Sequence, residues 1–186
     1  MVAMKVCIFG SYKKLGKQQR NDIVKLGRLL AEKGFEIMNG GFGGTMEDIS
    51  RGAKEAGGKT VGVTYYKWKN QSYKKPNKYI DEEIKTKDIF ERIDIMTKNA
   101  DAFVVLPGGT GTLLELAACL ELVNKGLMKP KPIIALGDFW KSALEKLAEE
   151  PILSDKARAA SNALSCRGLV TFVATPKEAL EALLRL

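Results

Sequence analysis

The chain contains no histidine. That absence removes Ser-His-Asp chemistry, His-ligated zinc and imidazole acid–base catalysis together. Any reaction here must run on Asp, Glu, Arg, Lys, Tyr, Ser or Cys, or on backbone dipoles. Cysteine is scarce: Cys7, Cys119 and Cys166 are odd in number, lie in apolar contexts and show no CxxC spacing. They read as reduced core residues of a cytoplasmic protein, not as a disulfide framework. No apolar run approaches the ~20 residues of a membrane span, so no membrane partner is expected. Met1 to Gly10 carries its lysine inside a short strand-like run with no cleavage pattern after it, so no signal peptide is expected. Neither a metal nor a cofactor is expected.

What is present is enough apolar material for a proper core. With 186 residues, 45% of them hydrophobic, the chain is expected to form one domain over 1–186. Thirty basic against 22 acidic residues give a net charge of +8, which suits phosphate-bearing ligands of any size. The densest basic stretch runs from Tyr65 to Tyr79, with Trp68 and four tyrosines interspersed with its lysines. Aromatics interleaved with lysines can stack on bases. No nucleic-acid module surrounds this loop, so a solvated surface loop covering a helix or a partner subunit is the favoured reading, and nucleic acid is disfavoured.

Strand-like runs at 5–9, 36–39, 60–64, 79–84, 102–106, 132–136 and 170–173 alternate with helical periods at 17–33, 45–56, 88–99, 110–125, 139–148 and from 176 onward. In the first helix Ile23, Leu26, Gly27 and Leu30 share one side, and Gly34 stops it. The alternation predicts an α/β fold: a doubly wound, mostly parallel, Rossmann-like sheet with helices on both faces. Residues 155–167 read equally well as a short helix or a loop.

Three glycine-bearing turns follow strands: Gly10-Ser11, the run Gly40 to Gly44 with Gly41, Gly43 and Gly44 leading into Thr45, and Pro107-Gly108-Gly109-Thr110-Gly111-Thr112. Ligands of doubly wound sheets collect at the carboxyl ends of strands, near the switch point, so these turns are expected to converge on one crevice. In the third, a strand, a Gly-rich turn and a helix start follow one another. Glycine lets backbone N–H groups close around a phosphate, and the helix N-terminus adds roughly half a positive charge. Thr110 and Thr112 add hydroxyl donors. The Gly109-x-Gly111 spacing has Leu114 where a third glycine would stand, so the dinucleotide fingerprint fails. Glu115 would repel a phosphate and is better placed for the sugar beside it.

Arg92 falls on the flank of a stripe formed by Ile89, Phe90, Ile93, Met96 and Ala100. From spacing alone it reads as a boundary arginine with its head in water, pairing with Asp88 four residues earlier.

The longer pattern Pro-Gly-Gly-x-Gly-Thr-x-x-Glu, ending at Glu115, resembles the signature of the LONELY GUY family. Those proteins are cytokinin-activating nucleotide phosphoribohydrolases, often mislabelled lysine decarboxylases. The resemblance runs from Val6 to about Trp140 and includes Phe9-Gly10-Ser11, the Gly-rich Asn39 to Met46, and Asn124 to Pro130. In that family an Arg preceded by Glu works with the motif Glu, and Arg92 follows Glu91 at the matching distance, fifteen residues before Pro107. There are departures. Ile93 stands where the family usually has Lys, Gly44-Thr45-Met46-Glu47 replaces Gly-Leu-Met-Gly, and Met128 stands where a His is common. They leave the phosphate loop intact and the base unspecified.

The resemblance implies hydrolysis of the N-glycosidic bond of a nucleoside 5′-monophosphate, AMP-like, to a purine base and ribose 5-phosphate. It assigns Glu115 to the sugar and Arg92 to charge stabilisation and positioning, since an arginine stays protonated and is a poor proton donor. It also implies a homodimer or larger homo-oligomer. The alternative is a nucleotide or molybdenum-cofactor carrier that shares the loop and binds without turnover. No lysine stands in an evident Schiff-base context, which disfavours decarboxylation.

Overall fold

The computed structural model describes residues 3–65, 75–148 and 166–185. Its strands are β1 (Lys5–Phe9), β2 (Glu36–Asn39), β3 (Thr60–Tyr65), β4 (Glu82–Thr86), β5 (Ala102–Val105), β6 (Ile133–Leu136) and β7 (Val170–Val173). They form one seven-stranded sheet in the order β4-β3-β2-β1-β5-β6-β7, with every pairing parallel. The helices are α1 (Lys17–Glu32), α2 (Thr45–Glu55), α3 (Ile89–Lys98), α4 (Thr110–Asn124), α5 (Lys141–Ala148), α6 (Cys166–Leu169) and α7 (Pro176–Leu183). This is the doubly wound α/β fold that the alternation of runs predicts. Residues 66–74 of the basic aromatic loop, residues 155–165 of the unplaced stretch, and the Cys166 side chain lie outside the described residues. No described helix is long and apolar enough to cross a membrane.

Each central strand is apolar on both faces, because helices cover both sides of a parallel sheet. Val6, Ile8, Val104 and Ile134 point to one side and pack with Ile23, Leu26 and Leu30 of α1, Ile49 of α2 and Leu180 of α7. Cys7, Phe9, Phe103 and Val105 point to the other and pack with Met96 of α3, Leu116 and Cys119 of α4 and Leu144 of α5. The two-residue period of a strand does this sorting.

Three sequence expectations shift. The strand expected over 79–84 lies at Glu82–Thr86. Tyr79 and Ile80 instead belong to a turn built on Asn77, whose backbone N–H and side-chain amide donate to Gly41 O and Phe42 O, at 2.8 Å each. Phe90 leaves the apolar stripe of α3 and is 72% exposed, whereas Ile93, Met96 and Ala100 are buried. A 3.6-residue period puts 89, 92, 93 and 96 on one face and turns residue 90 about a quarter-turn away. The last helix before the undescribed segment opens at Lys141 and not Phe139. Trp140 instead tucks in, its Nε1–H donating to Leu106 O at 2.9 Å.

Helices α1 and α2 touch backbone to backbone through two glycines. A Cβ on Gly52 would sit 2.0 Å from Val24 O, and one on Gly27 2.3 Å from Ile49 O. Gly52→Ala would gain up to ~1 kcal/mol of helix propensity. It must also push two helices apart, an overpacking cost of about 1–3 kcal/mol or more. Overpacking wins because the obstruction is main chain, and a net loss of stability is expected in urea unfolding curves.

Candidate functional site

The chain reverses winding direction between β1 and β5, and the crevice at the switch point opens where their carboxyl ends diverge. A cleft of about 480 Å³ lies there, walled by residues 10–15 after β1 and 107–112 after β5, with Phe139 beside it. Of the residues expected to hold a phosphate, Gly10, Ser11, Pro107, Gly108, Gly109, Thr110, Gly111 and Thr112 line this cleft. The sequence reading did not single out Lys13, Lys14 and Phe139, which line it too.

Helix α4 opens with Gly109 as its cap and no side chain capping it, so its first amides are left for another acceptor. A Cβ on Gly109 or Gly111 would meet nothing within 4 Å, so both face open space. Gly108 differs: a Cβ there would lie 2.1 Å from Thr112 Oγ1, so glycine is what lets buried Thr112 fold back over the turn.

The second glycine turn does not line the cleft. It braces the first. Thr45 donates its N–H (2.9 Å) and its hydroxyl (3.1 Å) to Ser11 O. Gly44 takes φ +69° with Ser11 O only 2.4 Å from where a Cβ would be. Gly41 takes φ +76° and packs on Thr64 and Gly62, while Gly43 stands clear of close neighbours. Asn39 accepts from Gly41 N at 2.8 Å and fixes the start of the run.

Behind the cleft, one helical turn beyond Thr112, Glu115 meets Arg92. Arg92 Nη2 lies 3.6 Å from Glu115 Oε1, and each side chain is only 8% exposed. Arg92 is therefore not the solvated boundary residue that spacing suggests. Asp88 is not its partner: that carboxylate turns back to cap α3, Oδ1 accepting from Phe90 N and Glu91 N at 2.9 Å each. The Arg92 guanidinium instead packs over the rings of Phe42 (5.7 Å) and Tyr65 (5.3 Å). Its Nη2 presses on Gly40, where a Cβ would sit 1.7 Å away. Arg92 Nε is buried without a hydrogen-bond partner. The family resemblance pairs Arg92 with Glu115, but for the rings around them the sequence offers only a phenylalanine, Phe42, inside a glycine run.

Burial pushes the Glu115 carboxyl up from an ordinary value near 4.5 to about 7, with Arg92 pulling the other way. Desolvation dominates because a carboxylate loses more hydration here than one long ion pair returns. Burial, then Glu115 itself, pushes the Cys119 thiol up to about 12, and the same causes raise Cys7 well above its usual range. Both are packing residues, not nucleophiles. Among the described residues no cluster of Cys, Asp and Glu is arranged to hold a metal ion.

A glycine-rich strand-to-helix turn at the switch point of a doubly wound parallel sheet defines the class: a Rossmann-like α/β protein. The chain belongs to the SLOG cluster4 family, which it matches over residues 3–164. The probable cytokinin riboside 5′-monophosphate phosphoribohydrolase LOGL6 of Oryza sativa subsp. japonica is 28% identical over 185 residues, covering 96% of this chain and 70% of that protein. The X-ray structure of the structural-genomics target TM1055 matches with a TM-score of 0.73 at 28% identity, over 98% of this chain and 99% of that one. The molybdenum cofactor binding protein of Rippkaea orientalis shares the fold, with a TM-score of 0.72 at 24% identity over 100% and 98% of the two chains.

Proposed function

We propose that this protein hydrolyses the N-glycosidic bond of nucleoside 5′-monophosphates, releasing adenine or an N6-substituted adenine and ribose 5-phosphate. One observation carries the reading. The buried Arg92–Glu115 pair stands one turn beyond the uncapped amides that open α4, on the same face of that helix as Thr112. A nucleotide whose phosphate rests on residues 108–112 presents its sugar toward Glu115.

The bond from C1′ to the base nitrogen breaks, water supplies the new oxygen on C1′, and the leaving base takes a proton. Positive charge develops on the sugar, and a carboxylate held in a dry site stabilises it. Arg92 holds its charge throughout and fixes the substrate and the carboxylate relative to each other. We further propose that it works in the cytoplasm as a homodimer. Leu113 and Leu114, each 40% exposed, and Phe90 leave an apolar surface on α3 and α4.

Incubation with AMP and chromatography for free adenine tests the activity. The pH dependence of kcat/KM tests the carboxylate, because that ratio reports groups of the free enzyme and free substrate. Wild type is compared with Glu115→Gln so that the ionisation of the AMP phosphate cancels. If the ionised form is the working one, kcat/KM relative to the variant rises with pH through about 7, where Glu115 loses its proton. A relative profile that is flat from pH 5 to 8 is incompatible with Glu115 acting as a carboxylate.

A second reading is a nucleotide or molybdenum-cofactor carrier without turnover. It is favoured by the walls of the cleft, which end at Thr112 and include neither Arg92 nor Glu115. Binding of AMP without base release, across purine monophosphates, would support it.

A further inference from the structure

We propose that Phe42 and Tyr65 are positioning residues whose rings clamp the Arg92 guanidinium against Gly40, hold it off Glu115, and keep its Nε–H free for a ligand. A buried arginine beside a carboxylate ordinarily closes into a two-pronged pair at about 2.7–2.9 Å. Here the contact is single and 3.6 Å long, and Nε has no partner at all. Something else holds the cation.

That something is two aromatic faces and a glycine. Phe42 and Tyr65 lie within the ~6 Å at which a ring attracts a guanidinium. The rings brace each other edge to face, 5.9 Å apart at 86°. They come from different elements, the turn after β2 and the end of β3, while Arg92 comes from α3. Glycine at position 40 is what admits the guanidinium on its third side.

The groups around Glu115 do not supply the restraint. Arg92 reaches it from α3, Cys7 from β1 and Cys119 from the next turn of α4. Lys131 is spent on the carbonyls of Thr97 (2.8 Å) and Ala100 (2.6 Å). The spare Nε–H and the loosely held carboxylate are therefore both products of the ring clamp. The catalytic consequence rests on the phosphoribohydrolase reading, whereas the clamp itself can be measured without turnover.

The experiment follows the Glu115 carboxyl by carbon NMR in glutamate-labelled protein, with Glu115→Gln to assign the signal. In Phe42→Leu, Tyr65→Leu and the double variant Arg92 is free to close on Glu115, and the titration midpoint is expected to fall by about one pH unit. Tyr65→Phe keeps a ring face and is expected to restore the wild-type midpoint. Phe42→pentafluorophenylalanine keeps shape while reversing the charge on the face, so the midpoint should fall there too. It also guards against a leucine variant that fails to fold.

With AMP, the leucine variants are expected to lose about tenfold in kcat with KM changed less than about threefold, and Tyr65→Phe to recover most of it. A midpoint unmoved or raised in the folded leucine variants overturns the clamp. So does a fluorinated ring that titrates like wild type, because the rings would then only fill space. Wild-type protein that releases no base defeats the enzymatic reading, and the midpoints still decide the clamp.

Discussion

Glu115→Gln is expected to slow release of adenine from AMP by about a hundredfold or more, the scale of losing one buried electrostatic contact, with AMP affinity close to wild type. The substitution keeps size and hydrogen-bonding reach and removes only the charge. It is also mild toward the fold, because burial already holds Glu115 largely protonated below about pH 7, and glutamine resembles that neutral form. Arg92→Ala acts on the same group by another route. Without the nearby cation nothing opposes burial, so the Glu115 carboxyl rises further and its ionised fraction at neutral pH drops. Part of the arginine effect is therefore a glutamate effect, and the double variant should lose less than the product of the single losses. Initial rates of base release in the wild type, both single variants and the double measure this directly. Fully multiplicative losses would mean the two residues act independently. Activity that survives Glu115→Gln would falsify its assignment as the working carboxylate.

Much of the fold is legible in the chain because strand and helix signals are local. The apolar runs of β1, β5 and β6 are continuous, as strands covered on both faces must be, and the stripe Ile23, Leu26, Gly27 and Leu30 is buried as its period predicts. Asp88 illustrates where local reading stops. Its distance from Arg92 suits an ion pair, but it also precedes a helix, and its side chain turns back to cap two amides with Oδ1.

The glycine turns illustrate a second limit. A glycine facing a ligand and a glycine facing another loop are identical in sequence. Gly109 and Gly111 open onto the cleft, while Gly44 is needed because Ser11 O lies against it. The cluster around Arg92 was the least legible part. It joins residues 40, 42, 65, 92 and 115, and only the β4-β3-β2-β1-β5 order of the sheet brings their elements together. Tyr65 reads in sequence as the first aromatic of a basic loop, yet it is the last residue of β3, with its ring on the arginine.

Gly109→Val is expected to abolish nucleotide binding while the protein stays folded. The two halves of that expectation have separate structural causes. Gly109 has φ −100° and ψ −155°, extended backbone that a β-branched residue adopts readily, and an added Cβ meets nothing within 4 Å. The change in folding stability should therefore stay within about 0.5 kcal/mol, as for an unconstrained surface site. The space it fills, however, is where an anion would meet the free amides that open α4. Each charge-assisted hydrogen bond lost costs about 1.5–3 kcal/mol, so losing two lowers affinity by at least about a hundredfold. Gly108 would be a poorer test, since a Cβ there strikes the Thr112 side chain and disturbs the turn itself. Calorimetric titration with AMP and with ribose 5-phosphate, beside a thermal melt of each protein, separates the two effects. Parallel losses for both ligands place the contact at the phosphate, which they share, whereas a loss confined to AMP would move it to the base. A folded Gly109→Val protein that binds AMP as tightly as wild type removes the phosphate from the start of α4, and with it the reason for placing the sugar at Glu115.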